Sequence, residues 1–276
     1  MATSFQQPYD FRDESDALYG LLAPLADSDF QRKTQFKNWS VHDVVAHLHM
    51  WNWAADLALR DGDAFRAFWS DLASDIAKGG TLVEYAEKWL DGARDREVLD
   101  RWRDFYVEMT DRFAATDPRT RVPWAGPDMS VRSSITARLM ETWAHGQELY
   151  DLLGVGRVDK DRIRNIVTLG LNTFAWTFVN RGLEVPSPVP RLRLQAPSGA
   201  CWQWNEDVVT DRIEGSAVEF CQVVTQVRNV ADTELKVSGD VASRWMSIAQ
   251  CFAGPPCEPP APGTRRMEAA GGNPEA

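Results

Sequence analysis

Trp39-Ser40-Val41-His42-Asp43-Val44-Val45-Ala46-His47-Leu48-His49-Met50-Trp51 obeys the local rules for the start of a helix. Ser40 can cap an orphan backbone N–H with its hydroxyl, and Asp43 follows in the first turn. Val44, Leu48, Trp51, Ala55 and Ala58 then recur at spacings of four, three, four and three, which places them on one face. The run predicts an amphipathic helix stopped by Gly62. His47 borders the Leu48/Trp51 stripe and is expected to point inward. At about 100° per residue, His49 lies about 200° round from it and His42 about 140° the other way. Both are expected to face outward or across a seam.

A second stretch, Arg138-Leu139-Met140-Glu141-Thr142-Trp143-Ala144-His145-Gly146-Gln147, carries the fourth and last histidine of the chain. A spacing of four brings Glu141 and His145 onto one helix face, about 6 Å apart at their side-chain roots. With His47 they would offer two imidazoles and one carboxylate, leaving a position open for water or substrate, as catalytic zinc sites do. Spacing alone also fits an ion-paired surface. Glu148 is read either as an acceptor orienting His145 or as an exposed charge.

Outward from these two stretches, helical periodicity recurs at residues 10–25, at 81–115 as one helix or a broken pair, from Ser130 to Gly154, and at 159–181. Between residues 117 and 128 three prolines mark a loop. After Gly182 the texture changes, with three prolines in residues 184–190. Residues 191–196 alternate, Pro197-Ser198-Gly199 turns, and Cys201–Trp204 resumes extended character, which predicts a hairpin. A helix at 216–227, a strand at 234–238 and a last helix through Ala253 complete an α/β unit. The expected class is α + β: a helical bundle of four to five long helices over residues 1–183, a small α/β domain over 184–254, and a disordered Pro/Gly-rich tail over 255–276.

Composition narrows the function. The formal net charge of −10 over 276 residues repels a phosphate backbone, which argues against nucleic acid. The first fifteen residues lack a basic end followed by an apolar run, and no later stretch approaches 18 uncharged apolar residues, so neither a secretory signal nor a membrane span is expected and a cytoplasmic protein is. Cys201, Cys221, Cys251 and Cys257 never form Cys-x-x-Cys, so reduced thiols are expected, with Cys221 in the core. No Gly-rich phosphate loop or Gly-x-Ser-x-Gly stands out. Twelve tryptophans exceed the needs of packing and predict that some line a ligand cavity.

The two stretches resemble the signatures of the DinB-like, mycothiol-dependent maleylpyruvate isomerase superfamily, the first being W-(S/T)-V-x-D-(L/V)-V-A-H-L. The resemblance implies a four-helix bundle in which His47, Glu141 and His145 bind a divalent metal, usually taken as zinc. His42 and His49 fall at variable positions and receive no ligand role. Val122-Pro123-Trp124-Ala125-Gly126-Pro127-Asp128-Met129-Ser130, Phe220 to Gln226 and Ile248 to Pro256 are similar to a metal-binding subgroup that includes mycothiol S-transferases of lincosamide antibiotic pathways. It implies a thiol transferase that takes mycothiol and an electrophilic small molecule, in which sulfur displaces ergothioneine. The resemblance leaves open a cis-trans isomerase, a non-catalytic metal- or thiol-binding module, and a metal-dependent hydrolase. If the leaving group carries a trimethylammonium, Trp51, Trp124 and Trp143 are candidates to hold it by their ring faces, with Trp143 equally read as core.

Overall fold

The computed structural model describes residues 5–267. Four long helices build the bundle: α1 (Gln7–Leu22), α2 (Val41–Arg60), α5 (Asp95–Ala114) and α6 (Val131–Leu153). Capping fixes their starts. Ser40 Oγ accepts from the Asp43 backbone N–H at 3.0 Å while the Asp43 carboxylate takes the Ser40 N–H at 2.7 Å, a reciprocal pair that satisfies two orphan donors of α2. Ser130 Oγ accepts from the Ser133 N–H at 3.1 Å and starts α6 as expected. The apolar faces then meet: Phe11, Leu18, Trp102, Tyr106, Phe113, Leu139 and Trp143 are all buried in this unit. Each such side chain removed from water contributes about 1.5 to 3 kcal/mol.

Gly62 does more than end α2. Asp61 accepts from the N–H groups of Asp63 and Ala64 and caps a helix absent from the expectations, α3 (Gly62–Ala77), whose Phe65 and Leu72 are buried. The charged region at 81–115 is the broken pair, α4 (Leu82–Trp89) and α5, with Thr81 and Glu84 forming another reciprocal cap on α4. In the proline-bearing loop, β1 (Arg121–Val122) and β2 (Met129–Ser130) pair antiparallel.

Contacts divide the chain between Leu152 and Leu153, not at residue 183. Residues 159–181 are not one bundle helix but a short 3-10 turn followed by α7 (Arg164–Asn172) and α8 (Phe174–Val179), which fall in the second unit. The reason is packing against later residues. Gly170 packs closely against Phe220 and Val224, whose side-chain atoms a Cβ would meet at 3.2 Å, and Cys221 Sγ donates to the Ile163 carbonyl. Thr177 Oγ1 donates to the Gln250 carbonyl at 3.3 Å.

The sheet of this unit has the order β4-β3-β5-β6, with β3 (Arg191–Gln195) antiparallel to β4 (Cys201–Trp204) as the predicted hairpin and parallel to β5 (Arg212–Ser216). Leu192, Leu194 and Ile213 point to the buried face. Ser216 caps α9 (Ala217–Val224), β6 (Lys236–Ser238) pairs with β5, and α10 (Asp240–Ile248) is shorter than expected. Gly239, at φ 94°, is needed at the start of α10, because a Cβ there would meet Asp211 Oδ1 at 2.4 Å, the oxygen that accepts from the Val241 and Ala242 N–H groups.

The segment from residue 255, expected as a disordered tail, is tied down through Gly263. Gln226 Nε2 donates to the Cys257 carbonyl at 2.8 Å, Asn229 to Pro260 at 2.9 Å, and the Gly263 N–H to Asp232 at 2.8 Å. Prolines lower the cost of holding an extended segment by restricting its free states. The rest of the predicted tail, from residue 268, lies outside the described residues.

Candidate metal centre

His47 stands in the second turn of α2, and Glu141 and His145 share one face of α6. Glu141 Oε2 lies 3.4 Å from His47 Nε2 and 3.3 Å from His145 Nε2, and one ligand atom from each of the three falls within 4.8 Å of the others. Donors around a tetrahedral cation with bonds of about 2.0 to 2.2 Å stand about 3.3 to 3.5 Å apart, so both Glu–His edges suit such an ion. Water can reach the group, since both imidazoles are 12% exposed and the carboxylate 20%. A structural site closed by four ligands would not need this opening.

The charge states favour ligation. Burial pulls the His47 pKa down to about 4, against the opposing hydrogen bond to Glu141 and with help from His145 and Arg138, so the ring is neutral at pH 7. Burial pushes the Glu141 carboxyl up, but hydrogen bonds to His145 and His47, with the Arg138 charge, outweigh it and hold the group well below the usual carboxylate range. A neutral imidazole at His47 and an ionised carboxylate at Glu141 are the states a cation requires of such ligands. His47 Nδ1 has no hydrogen-bond partner among the described residues, and aromatic packing holds the ring instead. Trp39 lies 5.1 Å from it and Trp51 6.3 Å. Trp39 also stacks on His145 at 5.8 Å, with Phe36 edge-on at 5.1 Å.

The three tryptophans singled out by sequence separate. Trp51 and Trp124 come together at 5.6 Å, and Trp124 is stacked on Phe65. Trp143, at 0% exposure, is core and presents no face to a ligand. Trp39 is the aromatic neighbour that sequence reasoning passed over, although it heads the first motif and immediately precedes the cap. Arg138 was missed too; its signal was its place one turn before Glu141.

Of the two placements expected for His42 and His49, the structure shows the second: both are buried across helix seams rather than facing outward. His42 Nε2 bonds Glu87 at 2.7 Å and its Nδ1 accepts from the Asp95 N–H at 3.0 Å, joining α2 to α4 and the start of α5. His49 packs edge-on between Trp89 and Phe105. Glu148 is buried rather than an exposed charge. All four cysteines are free, and burial, with Cys251 and Asp159 nearby, pushes the Cys221 thiol well above its ordinary pKa. A protein nucleophile there is disfavoured.

Known proteins resemble this chain in sequence and in fold. Residues 11–150 match the family model of the mycothiol maleylpyruvate isomerase N-terminal domain. Two uncharacterised proteins, from two strains of Mycobacterium tuberculosis, are each 35% identical over 247 residues, spanning 90% of this chain and 95% of theirs. The crystal structure of the mycothiol-dependent maleylpyruvate isomerase superposes with a TM-score of 0.50 over 80% of this chain and 90% of that one, at 12% identity, a likeness of fold. By the match over its bundle, where the two histidines and the carboxylate converge, this chain belongs to the mycothiol maleylpyruvate isomerase N-terminal domain family.

Proposed function

We propose that this protein is a metal-dependent mycothiol S-transferase in which His47, Glu141 and His145 hold a divalent cation, zinc by preference for this nitrogen and oxygen donor set. The observation that carries the reading is the convergence of three donors on one point with a solvent-reachable side. When bound, such an ion supplies the positive charge that lets an incoming thiol lose its proton near neutral pH. An imidazole ligand carries no charge and Glu141 carries one, which would leave a divalent site cationic toward a thiol. Trp39 and Phe36 fix the His145 ring, so the ligand set is organised before substrate arrives.

The family supports mycothiol as the thiol. For the electrophile we propose an ergothioneine conjugate of the kind found in lincosamide antibiotic synthesis. Its trimethylammonium cannot donate an N–H hydrogen bond and calls for aromatic faces. Trp51, next to His47, supports that choice. No helix among the described residues is long and apolar enough to cross a membrane, and we place the reaction in the cytoplasm.

A second reading is cis-trans isomerisation, favoured by the family match and by the fold shared with the mycothiol-dependent maleylpyruvate isomerase. The two differ in stoichiometry. A transferase consumes one mycothiol per turnover, whereas an isomerase regenerates it. Metal analysis followed by a screen of mycothiol, glutathione and bacillithiol tests the proposal. One zinc per chain and turnover with mycothiol alone are expected. Turnover without any thiol would replace it by a hydrolase, and thiol binding without turnover on any electrophile by a binding module.

A further inference from the structure

Arg138 lies one turn before Glu141 and two turns before His145 on α6, so its guanidinium shares the face that carries two of the three ligands. It is 4% exposed, yet its Nε and Nη1 find no hydrogen-bond partner among the described residues. The guanidinium stands over the Trp124 ring, 5.4 Å from its centroid, and its charge is felt at both His47 and Glu141. Burying an arginine with donors unmade is costly, and such groups are ordinarily paired. The Glu141 charge eases this burial from a distance but leaves those two donors without a hydrogen bond.

Charge counting says what is missing. Imidazole ligands add no charge, so one carboxylate and one guanidinium sum to zero. A divalent cation raises the total to +2, and a thiolate lowers it to +1. One further anionic group restores neutrality in a setting where unbalanced charge is expensive.

We propose that Arg138 is the anion-binding residue of this site and takes a carboxylate of the electrophilic substrate, a role that rests on the thiol-transfer reading above. A carboxylate suits it because a guanidinium presents a planar fork of donors that matches two carboxylate oxygens. Trp124 lies beneath the fork and limits its swing, so the anion is held in one direction relative to the ligands. The substrate class is thereby narrowed to electrophiles that carry an acid group within a few bonds of the reacting carbon.

Succinate and its monomethyl ester probe this directly. Each has one carboxylate free to approach the cation, and only succinate has a second for Arg138. Calorimetric titration of the zinc-loaded protein should show succinate binding about 10- to 100-fold more tightly than the ester. In Arg138→Gln that preference should vanish while zinc content and mycothiol binding stay as they were. A preference kept in Arg138→Gln, or absent from the parent protein, overturns the proposal.

Stability gives an independent readout. Arg138→Met removes a buried charge that lacks partners, so its Tm should equal or exceed that of the parent. A clearly lower Tm would mean that the guanidinium serves to hold α6 against Trp124, and would overturn the binding role. Should neither protein take up zinc or mycothiol, the thiol-transfer reading fails by itself, and succinate binding to the metal-free parent but not to metal-free Arg138→Gln still decides for Arg138, equal binding to the two against it.

Discussion

The two sides of α2 place histidines in different company. On one side His47 meets a carboxylate and a second imidazole; on the other His49 packs against Trp89 and Phe105. Burial pulls both rings down to a pKa of about 4. Depressed basicity is therefore no mark of a ligand in this helix. What distinguishes His47 is that Glu141 and His145 converge on its Nε2 from α6, whereas His49 Nδ1 faces no partner among the described residues. His42, nearer the helix start, is a third case: its two ring nitrogens are used to join three helices, which leaves none for a metal.

The comparison breaks most sharply at the metal. Replacing His47 and His145 together by alanine should abolish stoichiometric zinc binding, while His49→Phe should leave it at one per chain. Metal analysis of the purified variants checks this, and a full zinc complement in the double variant would remove the assignment. Removing Glu141 alone, as Glu141→Gln, should weaken zinc by about 100-fold, because the one charged ligand is lost.

Acid titration sharpens the comparison on the other side. With its pKa pulled from 6.5 to about 4 by burial, helped by Arg101, His49 stays neutral in the folded protein while the unfolded chain takes up a proton. The sign follows: above pH 6.5 the group is neutral in both states and costs nothing, and as pH falls from 6.5 toward 4 the unfolded state gains protons and stability is lost. The loss is about 3 kcal/mol at pH 4. Denaturant unfolding of metal-free protein across that window should show a shallower fall in His49→Phe than in the parent. Identical slopes would contradict the buried, unpaired imidazole.

A smaller effect is expected at His42. His42→Ala strands Glu87 and the Asp95 N–H at the junction of α2, α4 and α5, which should cost about 1 to 3 kcal/mol of stability with no change in zinc content. Smallest of all is Cys221→Ala. Its thiol is buried and held protonated, so turnover should be unchanged in a folded, metal-loaded variant, and complete loss of turnover would overturn a scheme in which only the co-substrate supplies sulfur.

The parts of this protein that short-range geometry controls were legible in its residues. Ser40 with Asp43 set the start of α2, the four-residue step from Glu141 to His145 put both side chains on one face of α6, and the alternation of Leu192 and Leu194 built a strand. These depend on hydrogen bonds and side-chain directions that repeat every 3.6 or 2 residues, whatever the rest of the chain does. The tertiary structure decided which faces meet. It buried His42 and His49, sent Trp143 to the core, brought Trp39 onto His145, and left Arg138 beside Trp124 with donors unmet. It also grouped α7 and α8 with the sheet and tied residues 255–263 down, through partners far away in sequence such as Gly170 with Phe220 and Gln226 with Cys257. Helical periodicity fixes the angle of a residue about its own axis but carries no information about what packs against that angle. That is set by the complementary shape and charge of segments that only folding brings together.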